Sequence, residues 1–126
     1  MEKDNIILKK SFDFALQIIE FSELLEGAKK YVISKQLLKS GTSIGANVRE
    51  AQNSESRADF IHKMQIVLKE LRESHFWIKF IIAAKLITTE DEVLKFLFNE
   101  SKELASITAK SVVSAKSKLG KNSSQS

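Results

Sequence analysis

The chain has 126 residues, 43% of them hydrophobic, which is enough to bury a single core of ordinary size. It contains no cysteine, so disulfides, thiolate metal sites and cysteine nucleophiles are excluded, and no proline, so long helices can run uninterrupted. The formal charge of +4 favours anionic partners.

No N-terminal apolar block resembles a secretion signal, because Ile6-Ile7-Leu8 is followed at once by Lys9-Lys10. The longest apolar run, Phe80 to Ala84, is far too short to span a bilayer. A soluble cytoplasmic protein without membrane contact is the expectation.

The pattern predicts a first helix over about residues 5–26, capped by Asp4 or Asn5. Its inward stripe is Ile7, Leu8, Phe12, Ala15, Ile18, Ile19 and Leu25. Phe14 and Phe21 widen that stripe on one flank and Leu16 on the other, to an arc of roughly 220°. So broad an arc means either burial on two sides within one bundle or an interface, through Phe14 and Phe21, with another subunit. Gly27 reads as the C-cap.

A second helix is predicted over about 30–53, with Ile33, Leu37, Gly41, Ile44, Val48 and Ala51 inward. It contains the poorest helix-forming stretch of the chain, Ser40 to Ala51, where each of two interior glycines costs about 1 kcal/mol relative to alanine. Tertiary packing has to offset that cost. Ser40, Gly41 and Gly45 therefore read as a place where another helix approaches closely. Asn47 is expected to bond across this interface. Glu50 ends the motif, although it shares the far side of the helix with Lys35, Lys39 and Arg49.

The third helix, over about 57–84, opens with the capping pair Ser56-x-x-Asp59. Phe60, Met64, Val67, Leu68, Leu71, His75, Ile78 and Ile82 fall on its inward face. Ile66 and Trp77 lie nearly opposite. They are candidate anchors for an oligomer or partner interface, unless lysine and arginine stems merely cover them. The fourth helix, over about 90–118, starts with a capping box of Thr89 and Glu92. It turns Val93, Leu97, Leu104, Thr108, Ser111 and Ala115 inward, and residues 120–126 read as a disordered tail. Four long helices joined by short turns make an all-α, antiparallel up-down-up-down four-helix bundle, one domain spanning residues 1–119.

Catalytic chemistry finds little support. Gly41-x-x-x-Gly45 lacks the Gly-Lys-Ser/Thr ending of a phosphate loop. A di-metal carboxylate site needs two Glu-x-x-His pairs, and only the imperfect Asp59-x-x-His62 is present. His75 reads as a satisfied core histidine. No enzymatic activity, metal, cofactor or small-molecule substrate is expected.

The cations suggest more. Lys35, Lys39 and Arg49 share the outer face of helix two, while Lys69, Arg72 and Lys79 share a flank of helix three. Such groups can neutralise phosphates and release counterions, or simply solvate a charged face. Aromatic residues are not expected between them, so base stacking on a platform is not indicated. The rival to RNA binding is a protein-interaction scaffold that docks a partner helix on the apolar face around Ile66 and Trp77.

The segment Leu37 to Ala51, followed by Ser56-x-x-Asp59-Phe60 and Leu68-x-Glu70-Leu71-x-Glu73, resembles a bacterial family of four-helix bundles. Its members are encoded in intervening sequences of large-subunit rRNA and are often labelled ribosomal-protein-like. The likeness is strong over helices two and three and rests on length and polarity elsewhere. The family commonly has Ile and Gly where this chain has Val48 and Ala51. The resemblance implies an antiparallel bundle assembling as a ring, a homopentamer, with a non-enzymatic role and association with RNA or the ribosome. Lys35, Lys39, Arg49, Lys69 and Arg72 are then the expected nucleic-acid contacts.

Overall fold

The computed structural model describes residues 2–88 and 91–125, with side chains described for residues 6–88 and 91–120. Four helices follow one another: α1 (Glu2–Gly27), α2 (Tyr31–Gln52), α3 (Arg57–Ala83) and α4 (Glu92–Gln125). Among the described residues there is no strand. Each helix packs on its neighbours in sequence, α1 closes against α4, and among the described residues no diagonal pair of helices brings its backbones within 8 Å.

Cross-helix contacts set the directions. Ser34 Oγ donates to Ser22 O at 2.9 Å, while Gly41 faces Ile18 and Gly45 faces Ala15. Numbers rise along α2 as they fall along α1, so this pair is antiparallel. The α2–α3 seam is marked by Ser40 and Ser74, whose hydroxyls lie 2.8 Å apart. His75 and Ser101 mark the α3–α4 seam. The square closes where Lys10 Nζ reaches Glu100 Oε1 at 2.9 Å and Glu103 Oε1 at 3.2 Å.

The buried positions explain why these sequences make a bundle. In α1 they include Ile7, Ser11, Phe14, Ile18, Phe21 and Leu25; in α3, Met64, Val67, Leu71, Ser74, Ile78 and Ile81; in α4, Leu94, Leu97, Ser101, Leu104 and Thr108. Steps of three and four alternate in every case, the spacing that keeps one seam facing its partner along a gently supercoiled helix.

That spacing overturns part of the expected core. Phe14 and Phe21 are fully buried in their own bundle, so neither can form an interface with another subunit. Leu8, Phe12 and Ile19, expected inside, stand exposed together with Leu16. The physical reason lies in α2. Its glycines let α1 come close, with Ile18 filling the space a Gly41 side chain would take and Ala15 Cβ and Ser11 O nearest to where a Gly45 Cβ would stand. Phe12 on that seam would hold the two helices apart. Ile61 and Ile81 likewise enter the core of α3, whereas Phe60, Leu68, His75 and Ile82 are half-buried. In α4, Leu94 and Val112 take inner places where Val93 and Ser111 were expected.

The helix ends also differ in detail. α1 stops at Gly27, yet the left-handed residue that turns the chain is Lys29, with φ 63°. Lys30 N donates to Leu25 O and Lys29 N to Glu26 O, each at 2.9 Å. This is a Schellman closure with lysine where glycine is usual. Lys85, at φ 55°, closes α3 the same way, with Leu86 N donating to Ile81 O at 3.1 Å.

At the start of α3, Ser56 Oγ accepts from Asp59 N at 3.0 Å, as expected. Thr89 of the expected capping box lies outside the described residues. The cap of α4 is Asp91, whose Oδ1 accepts from Leu94 N at 2.9 Å. The backbone of α4 stays helical to Gln125, across residues where a disordered tail was expected. Nothing beyond Lys118 except Gly120 disfavours the helix strongly, and proline is absent.

Candidate nucleic-acid interface

The small-residue stretch of α2 places the candidate surfaces, because it sets how closely α1 and α3 approach. Ser40 is buried and donates to Leu37 O at 3.1 Å, leaving its oxygen to accept from Ser74. Gly41 is buried against Ile18, and a Cβ at Gly45 would make only an ordinary contact with Ala15. Asn47 does not cross the interface as expected. Its Nδ2 donates to Ser43 O at 2.9 Å and Ser43 Oγ at 3.1 Å, within its own helix. A local acceptor one turn away satisfies the amide without a partner helix. Glu50 is exposed and takes no part in the packing.

All five expected cations, Lys35, Lys39, Arg49, Lys69 and Arg72, are exposed. The ion pairs among the described residues engage other lysines: Lys9 with Asp13, Lys10 with Glu100 and Glu103, Lys63 with Asp59, and Lys95 with Glu92. The five do not converge on one patch. Arg49 borders a groove of about 850 Å³ between α1 and α2, with Leu8, Phe12, Gly45 and Ala46 beside it. Lys39 lies close enough to Glu70 to act on it across the α2–α3 seam. Burial, reinforced by Glu73, holds the Glu70 carboxyl above the usual range, and Lys69 and Lys39 oppose that shift.

Lys69 and Arg72 are three residues apart on the outer side of α3, and Lys79 lies two turns beyond Arg72 on the same stripe. Lys79 and Lys102 flank His75. Burial keeps its imidazole pKa below the ordinary value, and the two lysines push it further down. Lys102, missing from the sequence reading, brings α4 into this basic region. It also lies 5.7 Å from the centre of the Phe98 ring. A wheel drawn for one helix cannot show a cation supplied by the next.

The aromatic residues depart from expectation as well. Phe76 is 57% exposed and Phe80 44%, and both stand among the cations of α3. The expected separation of aromatic and basic residues therefore fails. Trp77 does not point outward but lies half-buried against the core. Its ring meets those of Phe76 at 5.2 Å and Phe80 at 6.2 Å, both nearly edge-on. Its Nε1 is buried without a hydrogen-bond partner among the described residues. Ile66 is half-buried too.

The histidines hold no catalytic arrangement. His75 Nδ1 lies 2.6 Å from Ser101 Oγ, and its ring packs on Phe98 with centroids 5.0 Å apart. Ser101 is buried and donates to Phe98 O at 3.0 Å, so no substrate can reach its hydroxyl. His62 is exposed elsewhere. Among the described residues no group of three His, Asp or Glu side chains could hold a metal ion, and no helix is long and apolar enough to cross a membrane.

Comparison with known proteins adds a family to this geometry. No curated protein matches the chain. A solved structure of a protein of unknown function from the S23 ribosomal protein family of Bacteroides thetaiotaomicron is similar. It is 41% identical, with a TM-score of 0.80 over 87% of this chain and 97% of that one. The pattern of the 23S rRNA-intervening sequence proteins matches residues 3–110, which span all of α2 and α3 and most of α1 and α4. A four-helix bundle organised around the Ser40–Gly45 seam and matched over that length belongs to the 23S rRNA-intervening sequence protein family.

Proposed function

We propose that this protein is a non-enzymatic, self-associating bundle that binds RNA, in a ribosomal setting, through the cations on its outer faces. The observation that carries this reading is the freedom of Lys35, Lys39, Arg49, Lys69 and Arg72. All are exposed, and none is held in an ion pair among the described residues. Each can replace a counterion on a phosphate without first breaking an internal bond. The name of the family supports RNA as the anion.

Self-association is supported by α1, whose Leu8, Phe12, Leu16 and Ile19 form an exposed apolar stripe next to the α1–α2 groove. A ring of copies, five by the family resemblance, would repeat a weak basic surface and raise avidity without any new contact. The groove also favours a second reading, a scaffold that accepts a partner helix on α1. In that case the docking face is Leu8 and Phe12 rather than Ile66 and Trp77, which are half-buried.

Fluorescence anisotropy of a structured rRNA fragment across a salt series tests the proposal. Affinity should fall steeply as salt rises. Replacing Lys35 and Lys39 with glutamate should abolish most of it. No binding even at low salt would overturn the proposal and favour the scaffold.

A further inference from the structure

We infer that the outer face of α3 is a stacking platform for unpaired RNA bases, formed by Phe76 and Phe80 beside Lys69, Arg72 and Lys79. The inference rests on the RNA-binding reading and names a specific site and form of the nucleic acid.

Four observations support it. First, the five residues recur at steps that keep them on one helical stripe, and all five are exposed. Two cations, a ring, a third cation and a second ring thus follow one another along a single stripe, an arrangement that lets a strand's phosphates follow the charges while its bases lie on the rings.

Second, the rings are held in place before any ligand arrives. Trp77 is anchored against the core and meets both rings edge-on, and Phe76 and Phe80 face each other at 6.4 Å with a tilt of 34°. A braced ring loses little freedom when a base settles on it, so more of the stacking energy appears as affinity.

Third, the charges beside the rings are ordered. Lys79 and Lys102 are close enough to act together on His75, on the α4 side of α3. Glu70, which feels Glu73, lies across the helix toward α2 and Lys39. A polyanion on the rings thus meets Lys79 and Lys102 on the α4 side and Lys39 on the α2 side, with Glu70 and Glu73 the nearby acids.

Fourth, the shape excludes the main alternative nucleic acid. Two rings on a convex helix can touch bases only when these are splayed out of a helix, because a duplex presents phosphates and groove edges instead. Self-association through the same rings would seat them beside three cations on each copy. The apolar stripe of α1 offers self-association a surface where the nearby Lys9 is already paired with Asp13.

The test compares a fluorescein-labelled oligouridylate with an RNA duplex, using the full-length protein and two double variants. Phe76→Ala with Phe80→Ala should weaken oligouridylate binding on the order of tenfold or more. It should leave duplex binding and the salt dependence unchanged. Phe76→Tyr with Phe80→Tyr keeps the π faces and should retain the affinity, which preserves the test if the alanine pair fails to fold.

Equal losses on both RNAs, no loss on oligouridylate, or a changed sedimentation coefficient without RNA would overturn the platform. The last of these results would make the rings a subunit contact. If the unaltered protein binds both RNAs and the alanine pair makes no difference, only the platform falls. Failure of the unaltered protein to bind either RNA at low salt overturns the platform together with the broader RNA-binding reading.

Discussion

Gly41 packs on Ile18 so tightly that a Cβ built at Gly41 would lie 2.7 Å from Ile18 Cγ2 and 2.8 Å from Cγ1. Ile18 is fully buried and cannot swing away. Gly41→Ala should therefore destabilise the bundle: overpacking at a buried site costs about 1–3 kcal/mol, against about 1 kcal/mol gained in helix propensity. Gly45→Ala is the internal control. Its Cβ would meet Ala15 Cβ at 3.5 Å, an ordinary contact, so the propensity gain should prevail. Thermal melts should show the first variant lowered by several degrees and the second unchanged or raised.

The turn lysines predict a gain. Lys29 and Lys85 hold left-handed φ values of 63° and 55°, a conformation costing about 1–2 kcal/mol for a residue with a Cβ. Glycine removes that strain but enlarges the unfolded ensemble. Lys29→Gly should still raise stability by up to about 1 kcal/mol, and urea denaturation should show a higher midpoint with an unchanged slope.

The buried hydroxyl pair predicts an asymmetry. Ser40 donates to Leu37 O and accepts from Ser74. Ser74→Ala removes one acceptor bond and leaves Ser40 still donating. Ser40→Ala strips Ser74 of its partner and should cost more, about 1–3 kcal/mol. The double variant should lose less than the sum of the two singles, which a double-mutant cycle by chemical denaturation would reveal.

His75 predicts a pH dependence. Its folded pKa lies below 6.5 because burial, with Lys79 and Lys102, disfavours the imidazolium. The unfolded chain therefore binds the proton first. The contribution is fully present above pH 6.5 and is lost as pH falls from there through the folded pKa. His75→Gln should flatten this part of the stability–pH curve, and denaturation midpoints on either side of pH 6.5 would check it.

Much of this architecture is legible in the sequence. Two interior glycines beside serines point to a close helix approach, and Ser56 with Asp59 marks a helix start. What the sequence hides is the rotation of α1. Ile7, Leu8, Phe12, Phe14, Leu16, Ile18, Ile19 and Phe21 cover most of the helix, and the apolar pattern alone does not say which arc another helix will cover. The true seam passes through Ser11 and Ser22, polar on paper: Ser11 O backs on the place where a Gly45 Cβ would stand, Ser22 O accepts from Ser34, and Gly41 leaves room for the branched Ile18. Asn47 was similarly misleading: an amide on a helix flank bonds to its own turn as readily as to a neighbour.

The exposed rings were hidden for a related reason. Phe76 and Phe80 fall outside the inward face predicted for the third helix, yet their place among its cations went unread until the structure showed both exposed. Lys102 joins the basic region from another helix, which no pattern along α3 could reveal. The Ser40–Gly45 stretch is thus legible as packing, while the surfaces proposed for function emerge from assembly of the four helices.

The latch between Lys10 and Glu100 joins residues 90 positions apart. The other three seams join helices consecutive in sequence, separated by short turns that bring them together at little entropic cost. Only the α1–α4 seam requires the whole chain to come round. The bundle should consequently assemble as neighbouring hairpins, with this seam shutting last and yielding first. Glu100, its side chain only 13% exposed, is the carboxylate that meets water when it does.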